Sequence, residues 1–147
     1  MPHSRIRLYI LTLILTLFSA SMMSCSGTAI TPIELNCEYA ENPLIDIQNP
    51  RLSWINENTN GTQGAAQTAY QIRVAANTPD FDNPVWDSGK VDSDESAFIL
   101  YEGVPLQPRT NYYWQVKVWD QDGKESAWSK TSQWHVGILS ADEWKGK

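Results

Sequence analysis

The chain has 147 residues and a formal net charge of −6 at pH 7, with seven tryptophans and two cysteines. This length allows one domain. Without Arg5 and Arg7, nine basic side chains face seventeen acidic ones, a net charge of −8. So acidic a surface repels phosphate backbones, which argues against nucleic acid as a partner.

Residues 1–24 are predicted to form a secretory signal peptide, with a basic start and an apolar run at 8–18. This run is shorter than the roughly 20 residues that a membrane-spanning helix needs. The stretch SMMSC, ending at Cys25, resembles a bacterial lipobox, whose cysteine carries lipid; the alternative is ordinary cleavage near Ala20. We therefore expect an exported protein, anchored by lipid on Cys25 in a bacterial envelope membrane and facing the periplasm or the cell surface.

A tether at 25–31 is predicted to lead into one domain, residues 32–147. Its apolar runs are short, alternate in polarity and end in turn-forming residues, and no window shows a helical period. The long stretch 56–67 between two runs is interpreted as a mobile loop. The pattern predicts an all-β, antiparallel seven-stranded β-sandwich, with strands at 32–39, 51–55, 68–76, 85–91, 96–101, 111–120 and 132–138.

Alternation with a period of two assigns side chains to the two faces of each strand. Cys37 falls on the inner face, where a small buried residue is expected rather than a nucleophile. The other residues assigned to the core are Ile33, Leu35, Leu52, Trp54, Tyr70, Ile72, Val74, Tyr112, Trp114, Val116 and Val118.

The spacing Leu106-x-Pro108-x-x-x-Tyr112 resembles the approach to the sixth strand of a fibronectin type III domain. That segment carries a tyrosine corner, a buried tyrosine whose hydroxyl binds the backbone a few residues upstream. The resemblance implies a fibronectin type III or immunoglobulin-like sandwich.

Two tryptophans are predicted to be exposed. Trp119 lies on the outer face of the strand at 111–120, and Trp128 follows a polar turn. They form either a surface cluster, stacked on one another or on the stems of Lys117 or Lys130, or a contact surface for a neighbouring domain or a sugar ring. We favour the domain contact.

No catalytic, cofactor or metal site is predicted from the residue pattern. His135 is the only histidine after the predicted signal peptide and is expected to be a structural or surface residue rather than a base. The run from Asp120 to Glu125 opens like a calcium loop but lacks the later acidic ligand, so we interpret it as a turn with Asp122 and Gly123 at its tip.

Five blocks together resemble the N-terminal fibronectin type III-like domain of bacterial α-L-rhamnosidases of glycoside hydrolase family 78. They span residues 33–147 approximately and occur in the order found in that family: LNCEYAENPLIDIQNPRLSW, QTAYQIRVA, WDSGKVDSDES, YYWQVKVWDQDGKESAWS and WHVGILSADEWKGK.

The resemblance implies a non-catalytic module, because the acidic catalytic residues of the family lie in a later (α/α)₆ barrel and have no counterpart here. The chain is thus expected to be a truncated rhamnosidase, a gene fragment or a free-standing module. Its expected partner is the downstream part of a rhamnosidase, on the same or a separate polypeptide, contacted near Trp119, Trp128 and Trp144. The alternative is an independent, membrane-tethered domain that binds another protein or a rhamnose-containing glycan.

Overall fold

The computed structural model describes residues 27–139. The predicted signal peptide, Cys25 and Trp144 lie outside the described residues. The described part contains nine strands: β1 (Ile30–Cys37), β2 (Leu44–Ile45), β3 (Arg51–Asn58), β4 (Gln67–Ala76), β5 (Trp86–Asp87), β6 (Val91–Asp92), β7 (Ile99–Leu100), β8 (Asn111–Asp120) and β9 (Ser132–Val136). Within this range, no helix is long and apolar enough to cross a membrane.

The strands form two sheets that pack face to face. One sheet has three strands in the order β1-β3-β7, and the other has six in the order β2-β9-β8-β4-β5, with β6 also pairing with β4. All pairings are antiparallel except the short parallel contact between β2 and β9. Side chains from both sheets meet in one hydrophobic core, so the predicted all-β sandwich is confirmed.

The number of strands differs from the seven predicted. The predicted strand 85–91 is divided into β5 and β6, because Gly89 has a φ of +63° and its N–H donates to the Asp87 carboxylate at 2.8 Å. Leu44–Ile45 adds the parallel strand β2. The predicted loop 56–67 is also too long, since β3 extends to Asn58 and β4 begins at Gln67.

The first strand begins earlier than predicted and changes face along its length. β1 starts at Ile30, inside the stretch assigned to the tether. A register shift against β3 lies between Ile33 and Asn36, and Glu34 there has a φ of +49°. Ile33 pairs with the half-exposed Ile55 and is itself only partly buried. The assignment of Ile33 to the core is therefore wrong. Leu35 and Cys37 are buried as predicted.

Six aromatic residues belong to the core of the described chain: Trp54, Tyr70, Tyr101, Tyr112, Trp114 and Trp134. Trp134 stacks on Tyr112 with ring centroids 5.5 Å apart, and Tyr101 packs edge-on against both Trp134 and Trp86. The inward-facing residues predicted on β3, β4 and β8 are all buried: Leu52, Trp54, Tyr70, Ile72, Val74, Tyr112, Trp114, Val116 and Val118. Burial of each large side chain contributes roughly 1.5–3 kcal/mol.

A buried amide joins the two sheets. Gln67 begins β4, and its side-chain oxygen accepts hydrogen bonds from the indole of Trp54 at 3.1 Å and the amide of Asn56 at 2.9 Å, both on β3. Its side-chain nitrogen donates to the carbonyls of Ser93 and Glu95 at 3.0 and 2.7 Å. All four hydrogen-bonding positions of the amide are therefore used.

The predicted tyrosine corner is confirmed. Tyr112 is 2% exposed, and its hydroxyl accepts a hydrogen bond from the backbone N–H of Gln107 at 2.9 Å. The sequence had not indicated a second hydrogen bond between a tyrosine hydroxyl and the backbone. The Tyr101 hydroxyl donates to the carbonyl of Val104 at 2.8 Å.

Replacing Tyr112 with phenylalanine should lower the free energy of unfolding by about 1 kcal/mol, because the buried hydrogen bond is lost while the ring still packs. Urea unfolding followed by circular dichroism would measure this. Tyr113→Phe is the matched control, since Tyr113 lies on the opposite face of β8 and is only half-buried. Equal stability of the Tyr112 variant and the native chain would contradict the assigned role.

Candidate functional site

The segment that carries Trp128 is joined to β8 of the six-stranded sheet by two serines. The N–H groups of Ser126 and Ser129 donate to the carbonyls of Val118 and Val116 on β8 at 2.8 and 2.9 Å. Their side-chain oxygens accept the N–H groups of the same two valines at 3.0 and 3.1 Å. Because the segment is held along β8, the Trp128 ring comes to lie on the outer face of the six-stranded sheet.

Cationic side chains alternate with aromatic rings across this outer face. Arg73 lies over the rings of Trp128 and Phe81, with 4.0 and 4.8 Å from its guanidinium carbon to the ring centroids. The Lys117 ammonium lies 5.1 Å from the centroids of both Trp119 and Trp128. Lys90 lies over Trp119 at 4.9 Å. We call this row the cation–aromatic ladder: Phe81, Arg73, Trp128, Lys117, Trp119 and Lys90.

The ladder changes the interpretation of the two predicted site tryptophans. Trp119 is only 9% exposed, so the prediction of an exposed pair is wrong for this residue. Trp128 is half-buried, and among residues 27–139 the two rings do not stack on each other. Each cation–π contact at an exposed site contributes about 0.5–1 kcal/mol. A sugar stacking on either ring would have to displace a cation, so a contact with another domain remains the favoured prediction.

The stretch from Asp120 to Glu125 forms the predicted turn. Gly123, with a φ of +73°, donates its N–H to the Asp120 carbonyl at 3.0 Å. The Asp120 side chain is 1% exposed and accepts the N–H groups of Asp122 and Lys124 on one oxygen, at 2.9 and 3.0 Å. Its other oxygen accepts the N–H of Ala29 at 2.9 Å and the hydroxyl of Thr28 at 3.3 Å.

These bonds give Asp120 a structural role. Burial alone would raise the pKa of its carboxyl group, but the hydrogen bonds from Ala29, Lys124, Asp122 and Thr28 outweigh this effect and hold the pKa below its usual value of 3.8. Both carboxylate oxygens already have donors, so a cation there would displace backbone N–H groups. Among residues 27–139, no group of three or more metal-ligating side chains is placed to hold a metal ion.

The remaining candidate nucleophile and base occupy structural positions. Cys37 is 1% exposed, and burial, with a smaller contribution from Glu38, raises the pKa of its thiol to about 12. A protonated thiol is a poor nucleophile. His135 lies on β9, where its Nδ1 contacts the side-chain oxygen of Asn111 at 2.7 Å.

A groove of about 760 Å³ opens between β1 and residues 128–132. Its carboxylates, Glu34 and Glu41, both belong to the wall formed by β1 and the turn after it, whereas the other wall supplies Lys130 and hydroxyl groups. Glycoside hydrolysis needs two carboxyl groups on opposite sides of the sugar. The groove therefore lacks the arrangement that this chemistry requires.

Sequence reasoning missed an apolar surface on the outer side of the three-stranded sheet. Tyr39 and Phe98 are 64% and 65% exposed, their rings meet edge-on at 5.9 Å, and both have positive φ angles, of 65° and 60°. Ile55 and Leu100, on β3 and β7, are also exposed. Bulky residues rarely adopt positive φ, so alternation along a strand could not have placed these two rings.

Arg51 orders one side of this apolar surface. Its guanidinium carbon lies 4.8 Å from the centroid of the Tyr39 ring, and its Nη2 lies 2.7 Å from a carboxylate oxygen of Glu38. The hydrogen bond from Arg51 lowers the pKa of Glu38. The ion pair between Arg51 and Glu38 makes this border of the surface polar, whereas the surface over Phe98, Leu100 and Ile55 is apolar.

Comparison with known proteins identifies relatives of this sandwich. The family described as "Rha78A-like, N-terminal immunoglobulin domain" matches residues 32–140. An α-L-rhamnosidase of Streptomyces avermitilis is 47% identical over 112 residues, which cover 75% of this chain and 11% of that protein. An α-L-rhamnosidase of Formosa agariphila is 34% identical over 98% of this chain and 15% of its own length.

Solved structures agree with this relationship. The crystal structure of the Streptomyces avermitilis α-L-rhamnosidase complexed with L-rhamnose superposes with a TM-score of 0.75 and 45% identity, over 81% of this chain and 12% of that one. The chain therefore spans between a tenth and a sixth of the length of these relatives.

Substitution of Asp120 by asparagine should lower the free energy of unfolding at neutral pH by about 1.5–3 kcal/mol, the range for hydrogen bonds to a charged group. The folded-state pKa lies below the unfolded value of 3.8, so this stabilisation is complete above that pH and is lost as the pH falls through the folded-state pKa. Urea unfolding at pH 7 and in the acid range would measure it.

The difference between the native chain and the Asp120 variant should therefore shrink in acid. Asp122→Asn is the control, since its carboxylate is exposed and accepts the Gln121 side-chain amide at 3.2 Å. A stability difference that is independent of pH would refute the role of the ionised carboxylate.

Proposed function

The chain belongs to the family of Rha78A-like N-terminal immunoglobulin domains, and we propose that it serves as the non-catalytic N-terminal module of an exported α-L-rhamnosidase. The observation that carries this proposal is the extent of the similarity. It covers nearly all of the described sandwich but only 11–15% of each of two α-L-rhamnosidases. The rest of such a protein then supplies the hydrolysis of terminal α-L-rhamnose.

The physical properties of the sandwich support a non-catalytic role. Inverting hydrolysis needs two carboxyl groups about 6.5–9.5 Å apart on either side of the sugar. The interior is filled by the sandwich's own core, and the large groove beside β1 has carboxylates on only one wall. Asp120 is buried but is bonded to backbone N–H groups that stabilise its ionised form, which is unsuitable for a general acid.

The proposed partner is the downstream part of a rhamnosidase, on the same or a separate polypeptide. Two surfaces support this docking: the edge of the cation–aromatic ladder at Trp128, and the apolar surface at Tyr39 and Phe98. Exposed apolar patches of this kind mark contact sites in soluble proteins. The segment containing Trp144 is proposed as a third contact.

The purified chain should show no hydrolysis of an aryl α-L-rhamnoside above a blank.

The purified chain should also raise the melting temperature of a rhamnosidase that lacks this module. Binding to the folded form of the partner stabilises it by mass action. Differential scanning calorimetry of the mixture would measure the shift, with a Tyr39→Ser/Phe98→Ser variant to test the apolar surface. A Thr59→Ser variant, altered away from both surfaces, is the control.

Hydrolysis by the isolated chain that is abolished by a single Asp or Glu substitution would overturn the non-catalytic role. An unchanged melting temperature with the native chain would overturn the proposed partner while leaving the family assignment intact.

We further propose that a lipid on Cys25 anchors the protein in a bacterial envelope membrane. The stretch SMMSC and the basic, apolar segment before it support this. Cys25→Ala should leave the protein unprocessed or move it from the membrane fraction to the soluble fraction, as measured by fractionation and immunoblotting. Cys37→Ala is the control, and a Cys25 variant that is processed normally and keeps its membrane association would refute the lipid anchor.

A further inference from the structure

The N-terminal end of the described chain is bound to the sandwich two residues before β1 begins. The N–H of Ala29 donates to an oxygen of the Asp120 carboxylate at 2.9 Å, and the Thr28 hydroxyl donates to the same oxygen at 3.3 Å. The carbonyl of Ala29 accepts the N–H of Thr59 at 3.0 Å, and Ala29 is 3% exposed. The chain is therefore attached to the folded domain from Thr28 onward.

This attachment leaves a short path to the proposed lipid. Only Ser26 and Gly27 lie between Cys25 and Thr28. An extended chain spans at most about 3.3–3.6 Å per residue, so the three steps from Cys25 to Thr28 reach roughly 10 Å. A lipid on Cys25 therefore brings the end of the sandwich that holds Thr28 close to the lipid headgroups.

Two connections lie beside the attached Thr28. They are residues 59–66, between β3 and β4, and residues 121–124, which follow β8. The N–H of Ala66 donates to the side-chain oxygen of Gln121 at 3.1 Å, so the two connections are joined. We call these two connections the tether end of the sandwich.

The tether end has no net charge. Its first connection reads TNGTQGAA, without a charged side chain, and its second has one acidic and one basic residue. The acidic segment 92–95 binds Gln67 and Thr68 and so lies beside the start of β4 rather than in these connections. The chain has seventeen acidic side chains against nine basic ones after the predicted signal peptide, so anionic headgroups repel it overall but not its tether end.

The described chain leaves the sandwich at the opposite end. The N–H of Val136 donates to the carbonyl of Thr110 at 2.9 Å, and the carbonyl of Gly137 accepts the N–H of Arg109 at 3.2 Å. Both contacts are made just before β8 begins, whereas Asp120, which binds the N-terminal end, is the last residue of β8. A strand of this length, ten residues, spans about 30 Å.

We propose that the module stands upright on the membrane, with its tether end against the lipid headgroups and the end at Gly137 directed away from them. This rests on the proposed lipid at Cys25. The short tether brings one end of the sandwich to the bilayer, and the acidic surface keeps the rest away from it. In this orientation, the downstream part of a rhamnosidase begins about 30 Å above the headgroups.

The cation–aromatic ladder offers the competing contact with a membrane, in which the sandwich lies on its side. Its Lys117 ammonium already pairs with Glu125 at 3.1 Å, and Arg73 donates to the side chain of Gln115 at 2.8 Å. The third cation, Lys90, is exposed. One exposed ammonium attracts headgroups by only about 1 kcal/mol, so the upright orientation is favoured.

The test uses the lipid-modified full chain, purified from bacterial membranes and reconstituted into phosphatidylethanolamine/phosphatidylglycerol vesicles that contain a nitroxide-labelled headgroup lipid. A fluorophore is attached through Gln63→Cys in the tether end or through Gln107→Cys at the opposite end, since both residues are exposed. Cys37 is 1% exposed and stays unlabelled. We expect the nitroxide to quench most of the fluorescence at position 63 and little of it at position 107.

A variant with ten Gly/Ser residues inserted between Ser26 and Gly27 tests the role of the short tether. The insertion adds a flexible reach of roughly 17 Å, so quenching at position 63 should fall toward that at position 107. The same ten residues added after Lys147 are the matched control and should leave the native pattern unchanged. Undiminished quenching at position 63 in the first variant would overturn the role of the tether.

Two further results, each with the chain bound to the vesicles, would overturn the upright orientation and leave the lipid anchor intact. One is equal quenching at positions 63 and 107. The other is stronger quenching at a fluorophore on Gln133→Cys, an exposed position of β9 on the outer face of the six-stranded sheet, than at position 63. A chain that does not sediment with the vesicles would overturn both the anchor and the orientation.

Discussion

The packing of the two sheets depends on the buried amide of Gln67. It is 5% exposed and joins a strand of each sheet to the segment before β7 through four hydrogen bonds. An amide left unpaired in this position would cost about 1–3 kcal/mol, so the amide favours the relative position of the sheets in which all four partners lie within reach. In that position the aromatic rings of the core are in contact with one another.

The outer faces of the two sheets differ in how far their aromatic rings are covered. On the six-stranded sheet, the cation–aromatic ladder covers large rings with Arg73, Lys117 and Lys90, so that little apolar area meets water. On the three-stranded sheet, Tyr39 and Phe98 remain about two-thirds exposed on a backbone that bulky residues rarely adopt. An isolated sandwich would gain no stability from holding these two rings exposed on such a backbone. This supports the proposal that they form a docking surface.

Prediction from sequence succeeded where side-chain direction is a local property. Along β4 and β8 each residue points to the face opposite its neighbour, and the predicted inner residues, such as Ile72 and Trp114, are fully buried. The tyrosine corner was found because its donor, Gln107, lies only five residues before Tyr112. Prediction failed where one residue changes the backbone, as at Glu34 in β1, where the shift in register moves Ile33 out of the core.

The sequence by itself determined the all-β class, the alternating faces of the long strands, the Asp122–Gly123 turn and the family, because each depends on residues close together along the chain. Only the tertiary structure decided which distant groups satisfy the buried polar atoms and cover the outer rings. Asp120 binds Ala29 across 91 positions, and Trp128 receives Arg73 from another strand. Such pairs of residues lie far apart along the chain and meet only when the sheets pack. A local pattern of residues therefore cannot predict them.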